Sequence, residues 1–314
     1  MRPSRTIFGL LVLAFTVDPR NTCARSDLAQ AQTTPYNLNV AVDEVSLTLH
    51  ASDVHGLAIN DLKLNELRLL DDGKPPRRVL VFQPLLNLPI RAGILIDTSQ
   101  SMQVTRPIDR AIAVKYAQQI LRQQTDQAFV TAFGRVSRLS ANWTSDPNTL
   151  TNAIDRVGVI GGVTALYDAI YSTCRYQFGK IDHAASGNFI LLFSDGEDDA
   201  SFLTLKDDVD MCQRSNTAIY TFRAEATPGL ISSGLRTLYQ LASETGGRVF
   251  HDDDSDAEVA NDLHTIDADL CNQYRLVYSP AAIKHDGAFH RIELSGPERI
   301  SRITVRSGYY APVH

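Results

Sequence analysis

Unbroken apolar runs that alternate with helical patterns constrain the fold of this 314-residue chain more than any other feature of its sequence. The apolar runs cover residues 92–96, 128–133, 189–193 and 218–222. Helical patterns lie between or after them, at residues 107–124, 150–157, 165–176, 203–214 and 234–245. Strands that are apolar along their whole length are buried on both faces, as in a parallel sheet covered by helices. The sequence therefore predicts an α/β fold with a doubly wound, Rossmann-like, mostly parallel sheet.

Both ends of the chain show a different period, in which apolar and polar residues alternate. This alternation covers residues 40–82 and returns after Cys271, for example at Tyr274, Leu276 and Tyr278. Such a pattern predicts antiparallel strands with one buried face. Because an isolated set of about three strands is only marginally stable, we expect the two ends to form one β-sandwich-like unit. The predicted domains are a β-rich segment at 32–90, an α/β domain at 91–271, and a second β-rich segment at 272–314 that packs on the first.

The N-terminus has the features of a secretory signal peptide. Arg2 and Arg5 precede an apolar stretch at residues 7–17, which is too short for a bilayer core that needs about 20 residues. The sequence Ala29–Ala31 offers a cleavage site, so the signal peptide is expected to cover residues 1–31. The alternative is a buried first helix, which the lack of amphipathic spacing disfavours. We predict an exported protein, periplasmic, extracellular or associated with the cell surface, with no membrane span after cleavage.

The four cysteines do not define a disulfide framework or a zinc site. Cys23 would serve as a lipoprotein anchor only after an apolar stretch, and the residues before it are polar. Cys174, Cys212 and Cys271 show no C-x-x-C spacing and no histidines at ligand spacing. The helical patterns around Cys174 and Cys212 favour buried thiols packed as small apolar groups. One disulfide is allowed in an oxidising compartment, and the sequence does not determine its pair.

Composition narrows the classes of partner. The formal net charge is −6 and the isoelectric point is about 5.7, which argues against nucleic acid as the main partner. Hydrophobic residues make up 44% and charged residues 21%, close to an ordinary globular protein, so a disordered chain is excluded.

Oxygen-bearing side chains follow the apolar runs at the points where ligands bind in doubly wound sheets. Asp97, Ser99 and Ser101 follow the first run, Asp195 follows the run at 189–193, and Thr164 lies just before a helical pattern. Carboxylates and hydroxyls without histidine or cysteine suit Mg²⁺, Mn²⁺ or Ca²⁺. The sequence thus predicts a divalent metal site with these five residues as its ligands.

The D-x-S-x-S spacing of Asp97, Ser99 and Ser101, with Thr164 and Asp195 on later loops, resembles the metal-ion-dependent adhesion site of von Willebrand factor A domains. The resemblance covers residues 91–271. Further motifs resemble the exported acidobacterial proteins related to this family; they lie at residues 71–75, 161–162, 164–168 and 308–312. One departure is Val163, which separates the glycine pair from Thr164, so this loop is expected to be one residue longer.

The resemblance implies a mechanism for binding. Ser99, Ser101 and Thr164 would contact the ion directly, whereas Asp97 and Asp195 would hold metal-bound waters. Neutral hydroxyls leave the metal electrophilic, so its open position would accept an acidic side chain of a protein partner. The expected function is a non-catalytic protein-interaction or adhesion module. The resemblance also implies that Asp168 fixes the loop and is not a ligand.

Two alternatives to an adhesion module remain at this point. In the first, the protein would be a structural scaffold or assembly factor of the cell envelope. In the second, which is less favoured, it would be a metal-dependent hydrolase. Hydrolysis would need a general base or a basic phosphate clamp beside the metal, and the three loops contain neither. Additional acidic stretches at 197–199 and 252–258 are better explained as solvated turns than as second cation sites. For Trp143, core packing is favoured over a role at a partner interface.

Overall fold

The computed structural model describes residues 44–181, 186–223, 231–251, 255–282 and 285–311. The predicted signal peptide at 1–31, its cleavage site and Cys23 lie outside these ranges, as do residues 252–254 of the second acidic stretch. Within the described ranges, no helix is long and apolar enough to cross a membrane.

The elements are numbered in chain order. The strands are β1 (Val45–Ser52), β2 (Arg68–Asp71), β3 (Arg78–Leu85), β4 (Ile90–Asp97), β5 (Gln127–Phe133), β6 (Ser137–Thr144), β7 (Gly187–Phe193), β8 (Thr217–Phe222), β9 (Arg248–Phe250), β10 (Gln273–Ser279), β11 (Phe289–Ser295), β12 (Arg302–Val305) and β13 (Gly308–Tyr310). The α-helices are α1 (Arg106–Lys115), α2 (Pro147–Arg156), α3 (Leu166–Thr173), α4 (Leu205–Arg214), α5 (Ser233–Thr245) and α6 (Asp256–Cys271). Short π-helical turns, Tyr116–Ile120 and Cys174–Phe178, extend α1 and α3.

A six-stranded sheet with the order β6-β5-β4-β7-β8-β9 forms the centre of the α/β domain. All neighbouring strands are parallel except β6, which runs antiparallel to β5 at the edge. The four apolar runs of the sequence are the four inner strands, so the predicted fold class is confirmed. The edge strand β6 was not predicted, because most of its side chains are solvent-exposed and it contains no apolar run.

Helices cover both faces of this sheet. Successive side chains of β4 point to opposite faces and pack against different helices. Ile94 packs with α1, α2 and α6 on one face, whereas Leu95 packs with α3, α4 and α5 on the other. Gly93 leaves room for the ring of Phe129, since a Cβ atom at Gly93 would lie 2.5 Å from that ring. This two-sided burial places β4, which carries Asp97 at its carboxyl end, in the middle of the domain.

The strands outside the α/β domain form two small antiparallel sheets, with the orders β12-β1-β10-β3 and β13-β11-β2. The sheets share one apolar cluster, which includes Leu47, Leu69, Leu276 and Ile292. We refer to these seven strands as the flanking β unit. Strands from both ends of the chain contribute to each sheet, as the fold-class prediction required.

Cys174 and Cys212 form a disulfide that joins the end of α3 to α4. The expectation of two separately packed thiols is therefore wrong. Each cysteine does occupy a buried position in a helical segment, as the patterns indicated, but the patterns could not show that the two helices are neighbours. Cys271 is the free and buried cysteine of the described ranges, and burial raises the pKa of its thiol to about 12.

Candidate metal site

Three loops meet at the carboxyl end of the central sheet, and hydrogen bonds join them. The Thr98 carbonyl, just after β4, accepts hydrogen bonds from the N–H groups of Ile160 and Gly161, at 3.0 and 3.1 Å. The Thr164 carbonyl accepts a hydrogen bond from the Asp199 N–H at 2.9 Å. The loop before α3 is thus bonded both to the D-x-S-x-S loop and to the loop after β7. These are the three loops that carry the five predicted ligands.

Asp97 is completely buried, and both of its carboxylate oxygens are held in place. Its Oδ1 accepts the Ser99 N–H at 2.8 Å, and its Oδ2 accepts the Ser194 hydroxyl at 2.8 Å. The hydroxyls of Ser99 and Ser101 lie 3.0 Å apart. The guanidinium of Arg106 donates to the main-chain carbonyl of Asp97 at 2.7 Å. The D-x-S-x-S segment therefore brings one carboxylate and two hydroxyls into a single turn.

The electrostatics of the turn fit a cation. Burial raises the pKa of Asp97 above its ordinary value, and the negative charge of Asp195 adds to this effect, although hydrogen bonds from Ser99 and Ser194 oppose it. Among the described residues, no Lys or Arg side chain forms an ion pair with either carboxylate. A divalent ion bound here would offset the repulsion between two buried or partly buried carboxylates. The residues present therefore suit an ion with hard oxygen ligands.

The loop after β7 is shaped by a close approach to α5. Gly196 has a φ of +81°, and a Cβ atom there would lie 2.2 Å from the Gly234 carbonyl oxygen. Only glycine avoids that clash, so the chain can turn directly after Asp195. The Asp195 side chain is partly buried and its Oδ1 accepts the Glu197 N–H at 3.1 Å. Thr164 is buried on the neighbouring loop.

The other acidic residues around the turn brace the loops. Asp198 accepts the Leu166 N–H at 2.7 Å at the start of α3, and Glu197 accepts the Gly234 N–H at 2.8 Å at the start of α5. Asp168 accepts main-chain N–H groups of the segment that follows, including that of Phe202 at 3.1 Å. These contacts give Asp198 and Glu197 structural partners. Asp168 holds the segment at 202–203, and its implied role at the loop of Thr164 stays a prediction.

Sequence reasoning missed Ser194. This residue follows an apolar strand, which is a signal for proximity to the site, but a lone serine there does not indicate which carboxylate it contacts. The expected core packing of Trp143 is confirmed, since its ring lies 4.6 Å from that of Phe129 and 5.6 Å from that of Phe178.

A protein-family profile matches part of this chain. The family profile of the von Willebrand factor type A domain matches residues 93–197. No curated protein matches the chain.

Solved structures that match this chain include proximal thread matrix protein 1 from the mussel byssus, at 14% identity and a TM-score of 0.43, covering 59% of this chain and 49% of that one. A further structure of the mussel protein is described with a zinc-occupied MIDAS motif. This chain spans about half the length of the mussel protein. An aerotolerance-related membrane protein from Bacteroides fragilis is 15% identical, with a TM-score of 0.46 and coverage of 57% and 98%. The von Willebrand factor domain of the pilus tip protein Mfa5 from Porphyromonas gingivalis is 21% identical, with a TM-score of 0.31 and coverage of 36% and 40%.

We identify the class of this α/β domain from its sheet order, its two layers of helices and the profile match. The chain contains a von Willebrand factor type A domain, and the resemblance drawn from its sequence is confirmed at the level of the family. The narrower likeness to the acidobacterial group stays a prediction.

Proposed function

We propose that this protein is a non-catalytic interaction module that holds a carboxylate of a protein partner through a divalent metal ion. The ion is Mg²⁺, with Mn²⁺ or Ca²⁺ as alternatives, and its ligands or water-bridged supports are Asp97, Ser99, Ser101, Thr164 and Asp195. The buried Asp97, fixed through both oxygens beside two adjacent hydroxyls, is the observation that carries this proposal. A metal with mostly neutral ligands keeps enough positive charge to accept an acidic side chain.

Exposed apolar side chains beside the site loops support a protein as the partner. Val104, Val136, Ile160 and Phe202 are 85%, 77%, 80% and 97% exposed. They lie on segments that adjoin the three site loops or are bonded to them, and we refer to these four residues as the apolar rim. Exposed apolar side chains around a polar centre are typical of surfaces that become buried in protein complexes. The proposed partner therefore presents an acidic residue flanked by apolar ones.

The chemistry of the loops supports binding over catalysis. Neither histidine nor lysine occurs in the segments 97–101, 160–168 and 194–199. Arg106, the cation nearest along the chain to the D-x-S-x-S loop, donates to the main-chain carbonyls of Asp97 and Val157. Metal-assisted hydrolysis would require a general base and a phosphate clamp beside the metal. The composition of these loops therefore favours binding.

Export is part of the same proposal. A disulfide between Cys174 and Cys212 persists in an oxidising compartment and is rare in a reducing cytosol. This agrees with the signal peptide predicted for residues 1–31. The proposed location is therefore the periplasm, the cell surface or the exterior.

The metal site is tested by calorimetric titration of the metal-stripped protein with Mg²⁺. Ser101→Ala removes one proposed ligand from an exposed position, so the fold is expected to persist. Ser301→Ala is a matched control, because Ser301 is also exposed but lies directly before β12 of the flanking β unit. We expect saturable Mg²⁺ binding in the wild type and in Ser301→Ala, and its loss in Ser101→Ala. Retained binding in Ser101→Ala, or none in the folded wild type, would overturn the proposed site.

The partner chemistry is tested by selecting displayed peptides on the immobilised protein, with Mg²⁺ and with a chelator. We expect Mg²⁺-dependent enrichment of peptides in which Asp or Glu is flanked by apolar residues. Phe202→Ser should weaken the selected peptides about tenfold or more without changing Mg²⁺ affinity, since Phe202 contributes to the rim and not to the metal. Equal enrichment of these peptides with Mg²⁺ and with the chelator would contradict the proposed mechanism.

A further inference from the structure

A second cluster of ligand atoms lies in the flanking β unit, away from the loops that carry the D-x-S-x-S motif. His290 Nδ1 lies 3.1 Å from Asp72 Oδ2 and 3.9 Å from Asp71 Oδ1. The three side chains each offer one ligand atom, and all three atoms lie within 4.8 Å of one another. Asp71 and His290 are 6% and 4% exposed, so the cluster is built around buried groups.

Strand pairing places these residues together. β2 ends at Asp71, and a tight turn follows in which Asp72 and Gly73 have φ values of +48° and +73°. Aspartate and glycine are favoured at such left-handed positions. In β11, Ile292 pairs with Asp71, and the Arg291 carbonyl accepts the Asp72 N–H at 2.9 Å. The turn is therefore attached to the strand that carries the histidine.

Each carboxylate has one oxygen held by other donors and the other oxygen near the histidine. Asp71 Oδ2 accepts the hydroxyls of Tyr278 and Tyr309, at 2.8 and 3.0 Å, whereas its Oδ1 faces the imidazole. Asp72 Oδ1 accepts the Arg291 N–H at 3.0 Å, whereas its Oδ2 faces the same ring nitrogen. Partners of this kind fix the orientation of carboxylates that bind a metal.

The His290 imidazole also has partners that fix its orientation. His290 Nε2 lies 3.5 Å from Asp286 Oδ1, and the ring stacks on Tyr309 with centroids 5.2 Å apart. A carboxylate behind the distal nitrogen of a histidine is the usual arrangement when the proximal nitrogen binds a metal. With a metal on Nδ1, the Asp286 carboxylate would hold the hydrogen on Nε2.

We propose that Asp71, Asp72 and His290 bind a divalent transition-metal ion, Zn²⁺ in the first place, through Oδ1, Oδ2 and Nδ1. An imidazole beside two carboxylates suits Zn²⁺ better than Mg²⁺, and two carboxylates balance its charge. Zinc–ligand distances of about 2.1 Å place tetrahedral ligands about 3.4 Å apart, between the two separations seen here. The Asp72 side chain is 40% exposed, so a fourth position would open towards solvent.

The test titrates the folded full chain with Zn²⁺ and follows binding by calorimetry. Asp72→Asn keeps an acceptor for the Arg291 N–H at an exposed turn and removes the charge. His290→Phe keeps the ring stack on Tyr309 and removes the nitrogen. With Mg²⁺ in saturating excess to occupy the D-x-S-x-S site, we expect one tightly bound Zn²⁺ in the wild type and in Ser101→Ala. The Zn²⁺ affinity should be about 100-fold or more weaker in Asp72→Asn and His290→Phe, as for other lost metal ligands and supports.

A second readout is the long-range ¹H–¹⁵N spectrum of the histidines. Zn²⁺ should shift the Nδ1 resonance of His290, identified by its absence in His290→Phe, and leave its Nε2 protonated. Equal Zn²⁺ affinity in Asp72→Asn and the wild type would overturn the proposal. So would loss of Zn²⁺ binding in Ser101→Ala instead, or no Zn²⁺ binding at all. Because the Mg²⁺ titration depends on Ser101 and this one on Asp72 and His290, the two proposals fail independently.

Discussion

The Ser194 hydroxyl donates a 2.8 Å hydrogen bond to Asp97 Oδ2, which joins the end of β7 to the end of β4 at the proposed metal site. The Ser99 N–H donates to the other oxygen, so both oxygens of the Asp97 carboxylate are held by groups of the protein itself. Ser194 also accepts the Gly196 N–H at 3.1 Å, so one hydroxyl positions Asp97 and the loop that carries Asp195. Preorganised ligands lose less conformational entropy when they bind an ion.

The first prediction concerns Ser194→Ala. Loss of its hydrogen bond leaves a buried carboxylate oxygen with one donor fewer, so Mg²⁺ affinity should fall about 10- to 100-fold, as for other residues that orient metal ligands. The free energy of unfolding should fall by about 1–3 kcal/mol. Mg²⁺ calorimetry and denaturant unfolding measure the two effects. The exposed Ser301→Ala serves again as the control, and Mg²⁺ affinity unchanged in Ser194→Ala would exclude a positioning role for Ser194.

The relation between Ser194 and Asp97 also marks the limit of what the sequence could predict. The inner strands were recognisable because burial on both faces produces continuous apolar runs, and Asp97 was recognisable because it ends the first run. The hydrogen bond joins residues 97 positions apart. No local pattern reports such a contact, since it depends on the lateral order of β4 and β7 in the sheet.

The same reasoning applies to the disulfide and to the second cluster. Cys174 and Cys212 are brought together by the packing of α3 on α4, and His290 meets Asp71 only through the pairing of β11 with β2. The edge strand β6 was not predicted for a different reason: its exposed side chains do not produce an apolar pattern in the sequence. Patterns of burial are local in sequence, whereas the contacts that build sites are not.

The second prediction is that the disulfide stabilises the helix next to Thr164. α3 begins two residues after Thr164, and its far end is bonded to α4. The cysteines are 38 residues apart, and closing a loop of that length contributes about 4 kcal/mol by the chain-entropy estimate. Replacing Cys174 and Cys212 together with Ser should therefore lower the free energy of unfolding by up to about 4 kcal/mol.

Denaturant unfolding with and without a reductant measures this effect, and Cys271→Ala is the control, because Cys271 is free. The reductant should destabilise the wild type and the control, and leave the double variant unchanged. Alkylation of the denatured, unreduced mature protein should modify Cys271 alone. Modification of all three remaining cysteines would show that the bond is not formed.

The third prediction concerns the pH dependence set by Asp208, a fully buried residue of α4. Burial raises the pKa of its carboxyl well above the ordinary value, and the charges of Asp207, Asp198 and Asp168 add to the shift. Among the described residues, neither oxygen has a hydrogen-bond partner of normal geometry, and a contact with the Tyr171 main chain opposes the shift with a smaller effect. The folded protein therefore binds this proton more tightly than the unfolded chain does.

The sign of the effect follows from that difference. Stability should decrease as pH rises from the ordinary aspartate pKa to the raised pKa of Asp208, because only the folded state is penalised when the carboxyl ionises. Asp208→Asn should raise the free energy of unfolding by about 1–3 kcal/mol at pH 7, and the gain should shrink towards pH 4. Asp210→Asn on the same helix removes an exposed ion pair with Arg214 and should change stability by less than about 1 kcal/mol. A gain that is equal at both pH values would contradict this assignment.

The last prediction concerns the dependence of the N-terminal segment on the C-terminal one. Three strands, β1, β2 and β3, lie wholly within the described part of residues 32–90, and each of their ladders leads to a strand after residue 272. β1 pairs with β10 and β12, β2 pairs with β11, and β3 pairs with β10. A fragment of residues 32–90 would leave all of these strands without their partners, so it should be unfolded.

Residues 91–271 include five of the six strands of the central sheet in full, and Arg91–Asp97 of β4, together with α1–α6. This fragment should fold and keep its Mg²⁺ response. It should be less stable than the whole chain, because the buried Asp269 loses His50 at 3.3 Å and Arg302 at 2.8 Å and keeps only Arg248 at 3.3 Å among its ion-pair partners. Amide spectra of both fragments, with residues 32–314 as the reference, test whether each fragment folds. Dispersed resonances from residues 32–90 alone would show that the flanking β unit is not a composite of both ends.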